Sequence, residues 1–307
     1  MSDLLNADLI AATLRMATPL LLTAMGGILC QRAAIFNIGL EGYMLIASFS
    51  SILFIDLTGS SFVGLLGGIF GSVLLSLVYA LFVIRFRANH ILTSISVNYI
   101  ATGLTGFLLM PIFGVKGGYR PANMSTLPAI RIGIIKEGSF LDKAINNHTI
   151  AVYLSLILVV VTYLILFKMP LGMKIRSLGS NENAVRTAGI KPEKIQLIAI
   201  LWAGLLCGIA GAHLASGYAS EFSEGMTQGR GFTAFSAIVF GGAHPVFCAI
   251  ACFIFGFADA AGIRLELANA GIPTGIIKMF PYVLACIAVA LSSLVRMKRM
   301  VSSKEIF

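Results

Sequence analysis

The chain has 307 residues, of which 58% are hydrophobic and 11% charged, and its mean hydropathy is +0.93. Soluble domains hold only about 45–50% apolar residues, so water is excluded as the main solvent of this chain. A net charge of +9 would suggest nucleic acid in a soluble protein, but here the basic residues gather in short segments between apolar runs and report orientation, so no nucleic-acid partner is expected.

The N-terminus carries Asp3 and Asp8, with no basic cluster ahead of the first apolar run and no small-residue cleavage site after it, so no signal peptide is expected. Apolar runs follow at Leu9 to Cys30, Gly42 to Ile55, Ser61 to Ile84, Ile91 to Met110, Thr149 to Phe167, Ile195 to Ser216, Pro245 to Ile263 and Met279 to Val295. Several approach the ~20 residues that cross ~30 Å of hydrocarbon as helix. None shows the ~10-residue alternating segments of a membrane barrel. The expected fold is therefore all-α: a single transmembrane bundle over residues 1–307, with about eight crossings plus broken or re-entrant helices.

Three basic segments separate these runs: Arg85 with Arg87, the stretch from Lys168 to Lys194, and the stretch from Arg296 to Lys304. All three are cytoplasmic by the positive-inside rule, which leaves an extracytoplasmic loop at 111–148 and a second polar outer stretch at 217–229. The same parity puts the N-terminus outside, unless the first segment is re-entrant. Between Arg230 and Gly242 too few residues remain for a full crossing, and a broken or half-length helix is expected there.

Small residues recur at four-residue spacing in Gly64 and Gly68, in Gly67 and Gly71, and in Gly204, Gly208 and Ala212, which suits close helix packing. The five cysteines all lie within or at the ends of apolar runs, and Cys248 and Cys252 share a helix face without a His or carboxylate beside them. Packing is the expected role, with neither metal nor disulfide.

Two places interrupt apolar sequence with polar and glycine residues: Arg32 to Gly42, and Gly229 to Pro245. Irregular backbone at membrane depth survives only when buried in protein or lining a wet cavity, and paired breaks in the two halves of a transporter point to its translocation path. Interfacial loops at span ends are the alternative. Glu41, closely flanked by apolar sequence, needs a partner: Arg32, or backbone N–H groups freed near Gly39 and Gly42. Asn98, uncharged and mid-span, either faces the bundle interior as a hydrogen-bonding group or ties two helices together.

The cytoplasmic stretch 168–194 contains a complete set of short-helix signals. Ser180 or Asn181 can cap the start, Glu182 suits the first turn, Arg186 the later part, Gly189 the stop and Pro192 the exit. A helix of about two turns is marginal alone, so it must dock, either in a cleft of a soluble partner or on the chain's own loops. Enzyme signatures are missing, and so is a phosphate-binding loop; if ATP drives this protein, another chain binds it.

The motifs Asn37-Ile-Gly-Leu-Glu-Gly42, Gly179-Ser-Asn-Glu-Asn-Ala184 through Ala188-Gly189-Ile190, and Glu224-Gly-Met-Thr-Gln-Gly-Arg-Gly-Phe232 with Gly256-Phe-Ala-Asp259 resemble the permeases of bacterial ABC importers for nucleosides. Those belong to a larger group that also serves ribose, other simple sugars and branched-chain amino acids. The resemblance implies a permease, not an enzyme, in the bacterial inner membrane. Its implied partners are cytoplasmic ATPases that hold ATP and magnesium, a second related permease and an extracytoplasmic solute-binding lipoprotein. This chain would itself carry no cofactor and no metal. The implied solute is a nucleoside, purine nucleosides first, with ribose or another simple sugar as the alternative. The implied coupling helix lies in the loop with Gly179, Asn181, Glu182, Asn183, Ala184, Arg186, Ala188 and Gly189. Solute hydrogen bonds are expected from Asn37 or Asn98 and stacking from Phe235 or Phe240; Glu41 lies on the same expected path, where holding a broken helix in shape is favoured over direct solute contact. His244 departs from the common pattern after Gly241. The rival of another class is an ion-coupled secondary carrier, which would place more ionisable groups mid-membrane than this chain offers.

Overall fold

A computed structural model describes residues 7–131, 142, 144 and 146–267. The expected crossing from Met279 to Val295 lies outside the described residues. In chain order the helices are α1 (Ala7–Arg32), α2 (Leu40–Thr58), α3 (Ser61–Ala80, continued by a π turn over Leu81–Arg85), α4 (His90–Phe113), α5 (Ile150–Lys168), α6 (Pro170–Ser180) and α7 (Glu182–Thr187). They are followed by α8 (Pro192–Ala212, continued by π turns over His213–Ala219), α9 (Arg230–Phe240) and α10 (Pro245–Leu267). Among the described residues, seven helices are long and apolar enough to cross a membrane, and α9 is the short apolar helix expected after Arg230.

Burial follows composition. Every residue of α1 from Met16 to Cys30 is buried, as expected for a helix that is apolar all round, and α1 stands at the centre with α8, α9, α10 and α5 against it. α2 packs on α3, α4 and α8, and α3 closes on α8. The small-residue stripes make that last contact possible: Gly68 lies against Ala212 and the carbonyl of Gly208, while Ser72 donates to the carbonyl of Gly204 at 2.6 Å. α4 is the outlier, with Leu92, Tyr99 and Phe107 standing exposed, a surface that hydrocarbon or another chain rather than water must cover.

On the side assigned to the outside, two short ladders order the loops. β1 (Gly118–Tyr119) pairs with β4 (Phe222–Ser223), and β2 (Ala129–Ile130) pairs with β3 (His148–Thr149). Tyr119 stacks on Phe113 and donates to Asp56 Oδ1 at 2.7 Å, which ties the outer segment to the end of α2. Asp8 and Arg15 of α1 share a polar cavity with Asp142 and His148, so the start of α1 sits with the outer segment. α4 runs three residues beyond the expected end at Met110, because Pro111 falls in its last turn and Gly114 supplies the left-handed cap at φ 70°.

Candidate functional site

The two sequence breaks meet. After α1 ends at Arg32 the chain is irregular until α2 begins at Leu40, and the break after Gly225 ends where α9 begins at Arg230. Glu41, in the first turn of α2, accepts the backbone N–H of Gly229 at 2.8 Å and of Gly231 at 2.6 Å. Its carboxylate thus occupies the N-terminus of α9, where unpaired N–H groups and the helix dipole favour an anion. Glycine is required here for two reasons. Gly229 takes φ 80°, and a Cβ on Gly231 would run into the backbone of Glu41.

Neither partner expected for Glu41 is the observed one. Arg32 faces the other end of α9, with Nε donating to the carbonyl of Ala243 at 2.8 Å and Nη2 to that of Gly242 at 3.0 Å. The N–H groups near Gly39 and Gly42 are spent locally: Gly39 donates to Asn37 Oδ1 at 2.9 Å and Gly42 to Asn98 Oδ1 at 2.8 Å. α9 is therefore bracketed by an acid at its positive end and a base at its negative end, both supplied by the α1–α2 break.

Asn37 is 2% exposed, its amide turned into its own turn and toward Cys30 Sγ. Asn98 also donates to the carbonyl of Ile38 at 3.2 Å, so α4 is stitched to the break by both halves of one amide. Phe235, on α9, meets Phe36 edge-on at 4.8 Å between centroids, and Phe36 is 37% exposed. Phe240 packs edge-on against Phe255 of α10 at 5.9 Å. Asn37, Glu41, Asn98 and Phe235 thus come together around the break, with Phe240 about one and a half turns beyond Phe235 along α9. His244 lies among Tyr163, Phe167 and Phe247, where burial and then the charge of Arg32 hold its imidazole below the ordinary pKa.

On the side assigned to the cytoplasm, α7 has the limits the sequence suggests. Asn181 caps it, its Oδ1 accepting from Ala184 at 3.1 Å. At the other end Gly189 (φ 77°) donates to the carbonyl of Arg186 at 3.0 Å and Ile190 to that of Val185 at 3.2 Å, a Schellman closure. Arg186 bridges Glu182 at 2.9 Å and Glu193 at 3.0 Å, and these two carboxylates, Glu182 first, hold its guanidinium above the ordinary pKa. Asn183, Thr187 and Ala188 face solvent, and Val185 is buried beneath them.

Sequence reading missed α6. Its signals are present, with Pro170 at the first helical position and Ile175 and Leu178 spaced to bury one face. Also missed was the approach of Gly179 to the end of α1, where a Cβ would collide with the carbonyl oxygen of Arg32. That contact has no sequence signal, because it joins elements far apart in the chain.

A bundle of membrane-length helices packed about α1, with a cross-braced half-helix and a capped two-turn helix, is a fold shared with an ATP-binding-cassette transporter. A solved transporter structure in an inward-facing conformation, of metal-chelate ABC type, superposes with a TM-score of 0.51 at 16% identity, covering 92% of this chain and 85% of its own. Residues 9–289 match the family described as "Branched-chain amino acid transport system / permease component", and the chain belongs to that family. It is 33% identical to the guanosine ABC transporter permease protein NupQ of Bacillus subtilis, over 91% of this chain and 90% of that one. It is 29% identical to the nucleoside ABC transporter permease protein NupC of Lactococcus lactis, over 92% and 91%. It is also 26% identical to the glucose ABC transporter permease protein TsgB13 of Haloferax volcanii, over 86% and 71%. The chain is thus a multi-pass membrane protein, the permease subunit of an ABC transporter and not an enzyme.

Proposed function

We propose that this subunit imports nucleosides, purine nucleosides first, across a bacterial inner membrane by alternating access. The observation that carries the reading is the 33% identity to a guanosine permease over nearly the full length of both chains. In this reading α7, with Asn181, Glu182, Asn183, Ala184, Arg186, Ala188 and Gly189, sits in the cleft of a cytoplasmic ATPase that binds ATP and magnesium, while this chain holds no cofactor. Its exposed polar face and firm caps support that role, since an isolated helix this short gains stability only by docking. A second related permease covers the apolar face of α4, and an extracytoplasmic lipoprotein delivers solute to the outer loops. Asn37, Glu41, Asn98, Phe235 and Phe240 shape the solute path. The glucose relative supports a second reading, the same kind of subunit for a simple sugar.

Reconstitution with the cognate ATPase, second permease and lipoprotein tests both readings. Guanosine and other nucleosides should drive uptake and stimulate ATP hydrolysis, with ribose and glucose inactive; the reverse ranking would reject the nucleoside. Gly189→Pro deletes the N–H that Arg186 accepts and forbids φ 77°, at a cost of about 3 kcal/mol or more to the helix end. That variant and Arg186→Glu should abolish solute-stimulated hydrolysis while the membrane bundle still folds. Full stimulation in either removes α7 from the coupling role.

A further inference from the structure

We propose that Arg32, braced by Gly179, is the positioning residue through which α6 and α7 move the half-helix α9. The inference rests on the reading of α7 as the helix gripped by the ATPase.

α6 packs on α5, α1 and α8 and not broadly on α9. A cavity of about 400 Å³ separates α6 from α9, bounded by Arg176, Gly179 and Ser180 on one side and Val239 and Gly242 on the other. Where the cavity lies, no packed atoms are present to carry a displacement from α6 to α9. Arg32 crosses it. Its backbone is pinned at both levels: Gly179 lies so close that a Cβ would collide with the Arg32 carbonyl, and Ala33 and Ile35 both donate back to the carbonyl of Cys30 to close the helix end. Its guanidinium holds the carbonyls of Ala243 and Gly242, in the turn that ends α9, at 2.8 and 3.0 Å. The far end of α9 is held in turn by Glu41, and its middle carries Phe235 against Phe36. A shift of α6 transmitted to the Arg32 backbone thus reaches the C-terminal end of the half-helix through charged hydrogen bonds, the stronger kind, and the rest of α9 follows as a rigid helix anchored at its other end by Glu41.

Two measurements on the assembled complex test this. First, Ser180→Cys and Val239→Cys, both at exposed positions, carry spin labels in a background without the native cysteines. A second pair at Ser180→Cys and Leu57→Cys reports α6 against the outer end of α2. On ATP binding the 180–57 distance should change while the 180–239 distance holds to about 2 Å, as for elements that move as one body. If 180–57 is static, α7 does not move and the reading beneath the inference fails. If 180–57 changes and 180–239 changes with it, Arg32 does not join the two elements. Second, Arg32→Gln should keep basal ATP hydrolysis and lower solute moved per ATP by about tenfold, with partial recovery in Arg32→Lys, whose ammonium reaches one carbonyl. An unchanged ratio in Arg32→Gln overturns the proposal. The spin-label pairs keep Arg32 in place, so they decide the matter even where Arg32→Gln does not assemble.

Discussion

Replacing Glu41 by Gln separates charge from shape at the start of α9. The carboxylate accepts two backbone N–H groups, from Gly229 at 2.8 Å and Gly231 at 2.6 Å, and a glutamine can accept only one of them. The other N–H then faces an NH2 group, donor to donor, in a partly buried position. Losing one charge-assisted bond and orphaning its donor costs about 2–4 kcal/mol, and the lost interaction with the helix dipole adds up to ~1 kcal/mol. For a chain of this size each kcal/mol moves the denaturation midpoint by about 2–4 °C, so Glu41→Gln should melt roughly 5–15 °C lower in detergent. Glu41→Asp should fall in the same range, since a carboxylate one methylene shorter cannot span both donors. Fluorescence-detected size exclusion after heating reads the midpoint directly. Parent-like midpoints in both variants would refute the idea that this charge holds α9 in place.

Asn98→Leu removes the acceptor for Gly42 and the donor to Ile38, so it should destabilise the chain by about 2–4 kcal/mol in the same melt. His148, in β3, donates from Nε2 to the carbonyl of Ala144 at 3.1 Å, and burial holds its pKa below the ordinary value. A depressed His pKa means that the unfolded outer segment takes up the proton first as pH falls. Ordering of the outer loops should therefore weaken below about pH 6.5, seen as faster limited proteolysis there, and His148→Gln should flatten that dependence.

What the sequence made legible was set by local chemistry. The spans follow from uninterrupted apolar runs, the half-length α9 from counting residues between two fixed sides, and α7 from a cap, a charge pair and a stop glycine within ten positions of one another. The break residues were legible as a group but not as pairs. Glu41 reads as an unmatched charge, yet nothing near it in the chain indicates that its donors are Gly229 and Gly231. Arg32 is nearer in sequence, and proximity misled because the α1–α2 turn points the two side chains to opposite ends of α9. α6 was lost inside a stretch read as loop, since its polar face and basic residues outweigh a buried stripe of three residues.

The geometry of the break bears on which kind of solute it suits. Its polar side chains are largely committed: both Glu41 oxygens accept from α9, Asn98 stitches the backbone on both sides, and Asn37 is turned inward. What remains open there is aromatic: Phe36 and Phe232 are exposed, and Phe235 meets Phe36 edge-on. A sugar is recognised through hydroxyl groups, each of which needs a donor or acceptor of its own, and withdrawing an amide from backbone duty would orphan buried groups at about 1–3 kcal/mol apiece. A flat nucleobase asks less, because an aromatic ring offers it a stacking face at no cost to the hydrogen bonds that hold the break together. Under the proposal that the break lines the solute path, this arrangement favours a solute with a planar face over one that is hydroxylated all round, and so supports ranking nucleosides above glucose.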